Sequence, residues 1–108
     1  MKKILIALML CFSVSAMAQT CVLNRDSNGA IARSASSVAA FKRANHCPST
    51  GKATGTCPGY IVDHVIPLCA CGEDKPSNMQ WQTLAASKAK DKLEVKQCVA
   101  LKKSGAVK

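Results

Sequence analysis

Asp63 and His64 stand side by side after the apolar run Tyr60-Ile61-Val62, and that adjacency could divide one chemical task between two groups. A histidine can accept the proton of a water molecule at neutral pH, while a carboxylate is a hard oxygen ligand for Mg²⁺ or a similar ion. On extended backbone, neighbouring side chains leave on opposite faces, so the two groups need not compete for the same space. A water made nucleophilic, and a cation that offsets developing negative charge, are what hydrolysis of a phosphate ester requires. Further on, Asn78 carries a carboxamide that can donate and accept at once, which suits it to bracing the loop that presents His64. Lys88, Lys92 and Lys96 fall on one helical stripe and are point charges suited to phosphate, although such a stripe can equally be a solvated face.

Positioning these residues calls for particular elements. Tyr60-Ile61-Val62 reads as a short strand that ends in Asp63-His64, and Val65-Ile66-Pro67-Leu68 continues it as an extended segment. Residues 69–77 form a polar turn. Met79-Gln80-Trp81-Gln82 returns as a strand, with Met79 and Trp81 alternating onto one face. Residues 84 to about 100 are dense in Ala, Lys, Leu, Glu and Gln, without Gly or Pro, and predict a helix. Upstream, residues 34–45 predict a short amphipathic helix with serines at its start and a Val38/Phe41 pair three apart. Its Lys42 and Arg43 read as a solvated face. Residues 46–59 hold two Pro and three Gly and must be a loop. Trp81 is better explained as core beside Met79 than as a platform for a base, and His46 is incidental.

The chain opens as a targeting segment: Lys2-Lys3, an uncharged apolar run, then Ala16-Met17-Ala18 as a small-x-small cleavage signal. Residues 1–18 are therefore expected to be a signal peptide. The apolar run is too short for a span of roughly 20 residues, so no membrane association is expected after cleavage, and the product should be periplasmic or secreted. Residues 19–33 read as an irregular leader, 34–101 as the functional domain and 102–108 as a basic tail that frays. A domain of this size buries only about 60–65% of its unfolded surface and needs staples. Of seven cysteines, Cys11 leaves with the signal, and Cys21, Cys47, Cys57, Cys69, Cys71 and Cys98 remain. An even count in an oxidising compartment predicts three disulfides. Turn-rich sequence between Cys47 and Cys57 favours a local bridge there; Cys98 then pairs with Cys71 or Cys69, and Cys21 takes the one left over. Without Lys2 and Lys3 the chain holds 13 basic residues against 6 acidic ones, a balance of +7, which favours a polyanionic partner.

Taken together, Asp63-His64-Val65-Ile66-Pro67-Leu68, then Pro76-Ser77-Asn78-Met79-Gln80-Trp81-Gln82-Thr83, then the helix-forming residues 88–94, resemble the HNH family of nucleases. The resemblance covers residues 59–94. With the cysteine count and the helix expected at 34–45, it implies an α+β fold: a small disulfide-stapled domain with a ββα-metal finger, its core at about 59–97, preceded by a short helix. It also implies a metal-dependent endonuclease that hydrolyses phosphodiester bonds of DNA, or of RNA; the targeting segment makes it an exported one, and because lysines and a single Trp contact backbone and stacking faces rather than groove edges, low sequence specificity is expected. In that family the histidine of the pair is the general base and its acidic neighbour binds the metal, roles that carry over to His64 and Asp63. Asn78 matches the central asparagine in a supporting role, although an isolated Asn in this position could simply close a turn.

The last His or Asn of the motif commonly lies nine residues after that asparagine. Here the position is Ser87, a weak ligand that could hold a metal-bound water. Asp91, one turn on and on the same face, could supply an oxygen, or could instead pair with Lys88. The implied cofactor is a divalent ion, Mg²⁺ first, with Mn²⁺, Zn²⁺ or Ni²⁺ as alternatives; the implied partner is nucleic acid, bound by a monomer. Two rival expectations come from other classes. One is a basic nucleic-acid-binding domain that keeps the scaffold without turnover. The other is a structural zinc site using Cys47, Cys57, Cys69 and Cys71.

Overall fold

The computed structural model describes residues 20–108; the expected signal peptide, its cleavage point and Cys11 lie outside the described residues. The first helix, α1 (Ala35–Ala44), starts where Ser34 accepts a hydrogen bond from the Ser37 amide at 3.2 Å, an N-cap that satisfies one of the free donors of the first turn. Strand β1 (Tyr60–His64) pairs antiparallel with β2 (Met79–Thr83), and the register sets Val62 opposite Trp81, Asp63 opposite Gln80 and His64 opposite Met79. Helix α2 (Leu84–Ser104) follows directly, capped at its start by the Thr83 hydroxyl. Among the described residues the fold is thus a small α+β arrangement of two α-helices and a two-stranded antiparallel sheet.

The pleat divides the sheet into two faces. Val62, Trp81, His64 and Met79 share the face toward α1, where the Trp81 ring lies 5.7 Å from Phe41 and its Nε1 donates to the Asn45 carbonyl. Trp81 therefore packs, as expected. Asp63 and Gln80 share the other face, toward α2. The core is thin: among the described residues Phe41, Leu68, Met79, Val107 and the Cys47 and Cys57 pair are the buried apolar ones.

Three disulfides supplement that core, Cys47–Cys57, Cys69–Cys98 and Cys21–Cys71, each contributing roughly 2–4 kcal/mol by limiting the unfolded chain. The zinc alternative is excluded, because its four cysteines are consumed in these bridges. Cys69–Cys98 holds α2 against the connection between the strands, and Cys21–Cys71 ties the leader to the same connection.

Three details differ from the sequence expectation. Helix α2 runs past residue 100 because nothing halts it before Gly105, whose left-handed backbone (φ +79°) ends the helix. The basic tail does not fray: Val107 is buried, and Cys21 and Leu23 exchange main-chain hydrogen bonds with Ala106 and Lys108. The leader supplies the edge that orders it. The segment after His64 is not extended throughout but turns into a short 3-10 helix, Leu68–Ala70, and a second one, Pro76–Asn78, precedes β2.

Candidate functional site

The end of β1 and the connection that follows it are held by Asn78. Its Oδ1 accepts from the Ile66 amide at 3.0 Å, and its Nδ2 donates to the carbonyls of Ile66 and Glu73, both at 2.9 Å. One carboxamide thereby closes the 66–78 loop on itself. Gly72 makes that closure sterically feasible, because a Cβ there would lie 1.9 Å from the Ile66 carbonyl oxygen. Asn78 contacts the loop that carries His64 and not the face that carries Asp63, so its geometry is that of a brace.

His64 lies on the α1 side with its side chain 11% exposed, and its Nε2 is 2.9 Å from Asp74 Oδ1. Asp74 Oδ2 in turn accepts from the Ser34 amide at 2.6 Å, so the carboxylate joins the end of β1 to the start of α1. Desolvation pushes the Asp74 carboxyl up. The His64 hydrogen bond, the Ser34 amide and the charges of His64 and Arg33 outweigh it and hold the group below the ordinary carboxylate range. An ionised carboxylate can only accept, which makes Nε2 the donor and leaves Nδ1 as the ring nitrogen able to take a proton. Residue types and spacing gave no hint of Asp74, which reads as one more polar residue of the turn.

Asp63 faces α2 and meets a cation there. Lys90 Nζ lies 2.9 Å from Asp63 Oδ2, donates to the His64 carbonyl at 2.7 Å and pairs with Glu94 one helical turn on. Gln80 Nε2 also donates to Asp63 Oδ2, at 3.1 Å. Glu94 Oε1 is buried, with the Lys90 ammonium as its partner among the described residues. Burial acts to lower the Lys90 pKa, but the hydrogen bonds to Glu94 and Asp63 and their charges raise it above the ordinary lysine value. The ammonium stays charged. Neither Lys90 nor Glu94 was among the residues the motif pointed to.

A cleft of about 290 Å³ runs alongside, lined by Arg33, Asp63, His64, Ser87, Asp91 and Glu94 among others. Ser87 and Asp91 therefore do share a cavity with Asp63; Ser87 is buried and Asp91 exposed, and the Asp91 carboxylate makes no ion pair among the described residues. Lys88, Lys92 and Lys96 are exposed along α2.

Whether these groups suit a divalent ion has a mixed answer. Among the described residues no three His, Cys, Asp or Glu side chains stand together as a metal site. The oxygens that do converge, two carboxylates and one main-chain carbonyl, are the hard donors such an ion takes, and they converge on Lys90. No helix among the described residues is long and apolar enough to cross a membrane. No protein-family model matches the chain, and no curated protein or solved structure matches it either, so the functional reading stands on the geometry of this site.

Proposed function

We propose that this chain is an exported endonuclease of the ββα-metal kind, hydrolysing phosphodiester bonds of nucleic acid, with DNA as its first substrate and little sequence preference. The observation that carries the reading is the His64–Asp74 pair at the end of β1, back to back with Asp63 turned toward the carboxylate-bearing helix. His64 takes the proton of the attacking water at Nδ1, and Asp74 holds the ring in the tautomer that leaves Nδ1 free. Asn78 keeps the loop that positions both. Asp63 and Glu94 are the residues that would hold Mg²⁺, with Ser87 and Asp91 across the cleft as outer contacts through water. The ion would supply charge stabilisation at the phosphate. Arg33 at the cleft, and Lys88, Lys92 and Lys96 along α2, offer the phosphate backbone a positively charged track that reads no bases.

A second reading is favoured by one specific observation. Lys90 already neutralises Asp63, and a chain in which it does so permanently would bind nucleic acid without cutting it. Supercoiled plasmid incubated with the disulfide-bonded protein, with and without Mg²⁺ or Mn²⁺, separates the two. The nuclease reading expects metal-dependent nicking that His64→Ala abolishes. Uncut plasmid retarded equally by both proteins would sink it and leave the binding domain.

A further inference from the structure

We infer that Lys90 is a resident cation that closes a divalent-ion site: its ammonium fills the oxygen cage of Asp63, Glu94 and the His64 carbonyl, and a metal ion enters only by displacing it. The inference rests on the metal role proposed above for Asp63, and it adds to that role a built-in competitor.

The geometry is specific. An ammonium carries three N–H donors, and Lys90 meets three oxygens from three residues, Asp63 Oδ2 at 2.9 Å, the His64 carbonyl at 2.7 Å and Glu94 Oε1. Lys88, Lys92 and Lys96 on the same helix are exposed, whereas Lys90 turns inward and is 22% exposed. Both carboxylates it contacts are themselves largely covered, at 11% and 16%. Two such carboxylates facing one point repel each other unless a cation stands between them, and Lys90 supplies that charge from within the chain.

Tethering decides the competition. A group held on a short side chain presents itself at an effective concentration in at least the millimolar range, so a free ion of modest affinity is excluded at equilibrium. Displacement is nonetheless accessible, because the lysine stem is long, unbranched and freely rotating. Swinging outward would leave Asp63, Glu94 and the carbonyl for the metal, with Ser87 and Asp91 lining the same cleft. Mg²⁺ keeps several waters and needs few protein oxygens, so a cage of three is enough.

Calorimetric titration of Mn²⁺ into the disulfide-bonded protein, without nucleic acid, tests this. Lys90→Met, which keeps most of the stem and removes the charge, should bind Mn²⁺ about tenfold or more tightly than the unaltered chain. The gain should vanish in Lys90→Met/Asp63→Asn. Equal affinity in Lys90→Met and the unaltered chain overturns the inference, as does a gain that survives loss of the Asp63 charge. Thermal melting of Lys90→Met and the milder Lys90→Gln guards against simple misfolding. Mn²⁺ should raise the melting temperature of both variants well beyond its effect on the unaltered chain, and no rise in either overturns the proposal. The nuclease reading fails separately: a Lys90 variant that gains Mn²⁺ affinity while no form of the protein cuts plasmid breaks that reading alone. Mg²⁺-dependent cutting by an unaltered chain that binds Mn²⁺ no worse than its variants breaks the cage alone.

Discussion

Asp63 and His64 are consecutive and equally covered, yet the two faces of one short sheet give them opposite surroundings. On the α1 face His64 meets an acceptor, Asp74, whose second oxygen is fixed by the Ser34 amide. That arrangement orients a ring and leaves its Nδ1 without a partner among the described residues. On the α2 face Asp63 meets donors, the Lys90 ammonium, which neutralises the carboxylate, and the Gln80 amide, which hydrogen-bonds it. One residue is made ready by its partner and the other is capped by its partner. The pleat is the physical cause, because a step of one residue reverses which helix a side chain sees.

The largest effects should come from the His64 side. His64→Ala should lower plasmid nicking by about 10²–10⁴-fold, the usual contribution of a positioned general base, and Asp74→Asn by about 10–100-fold. An amide can no longer demand the Nε2–H tautomer, so part of the ring population would offer the wrong nitrogen. If Asp74→Asn cut as fast as the unaltered chain, the distinction drawn between an orienting and a capping partner would lose its first half.

The scaffold beneath both faces comes next in size. Asn78→Ala strands the Ile66 amide and two carbonyls and should cost about 2–3 kcal/mol in urea unfolding. Gly72→Ala should be worse, because the added Cβ meets backbone that cannot yield. Either change should degrade the two faces together, whereas Asp74→Asn and Lys90→Met should each affect one.

Much of this framework was legible beforehand. Strand limits, both helices and the position of Asp63-His64 follow from apolar alternation and from Gly and Pro punctuation, and the disulfides needed only a choice between Cys69 and Cys71 as the partner of Cys98. The parts that charge carries were not legible. Asp74 and Lys90 reach their partners across 10 and 26 residues of chain, and nothing in the periodicity of a turn or of a lysine-rich helix singles out the member that turns inward. Lys88, Lys92 and Lys96 form the regular stripe, yet the lysine that pairs with Asp63 is the one outside it. The ordered tail escaped for a related reason, since its partner is an irregular leader whose pairing has no sequence period.

The smallest effects should appear in the pH dependence of stability, and they separate the two faces most cleanly. Asp74 has a folded pKa below its ordinary value, so the stability it contributes is present above about pH 4 and is lost as pH falls through the lower folded value. Lys90 has a folded pKa above its ordinary value; its contribution is complete below about pH 10 and is lost as pH rises through the folded value. Urea midpoints measured across pH should therefore show Asp74→Asn altering the acid limb and leaving the alkaline limb in place, whereas Lys90→Met should abolish the loss on the alkaline limb and, by leaving Asp63 and Glu94 without their cation, change the acid limb as well. Each change should amount to about 1–2 kcal/mol at neutral pH. Asp74→Asn moving the alkaline limb would mean that the pairs are coupled through the main chain of His64, whose ring contacts one and whose carbonyl contacts the other, and the two faces would then act as a single electrostatic unit.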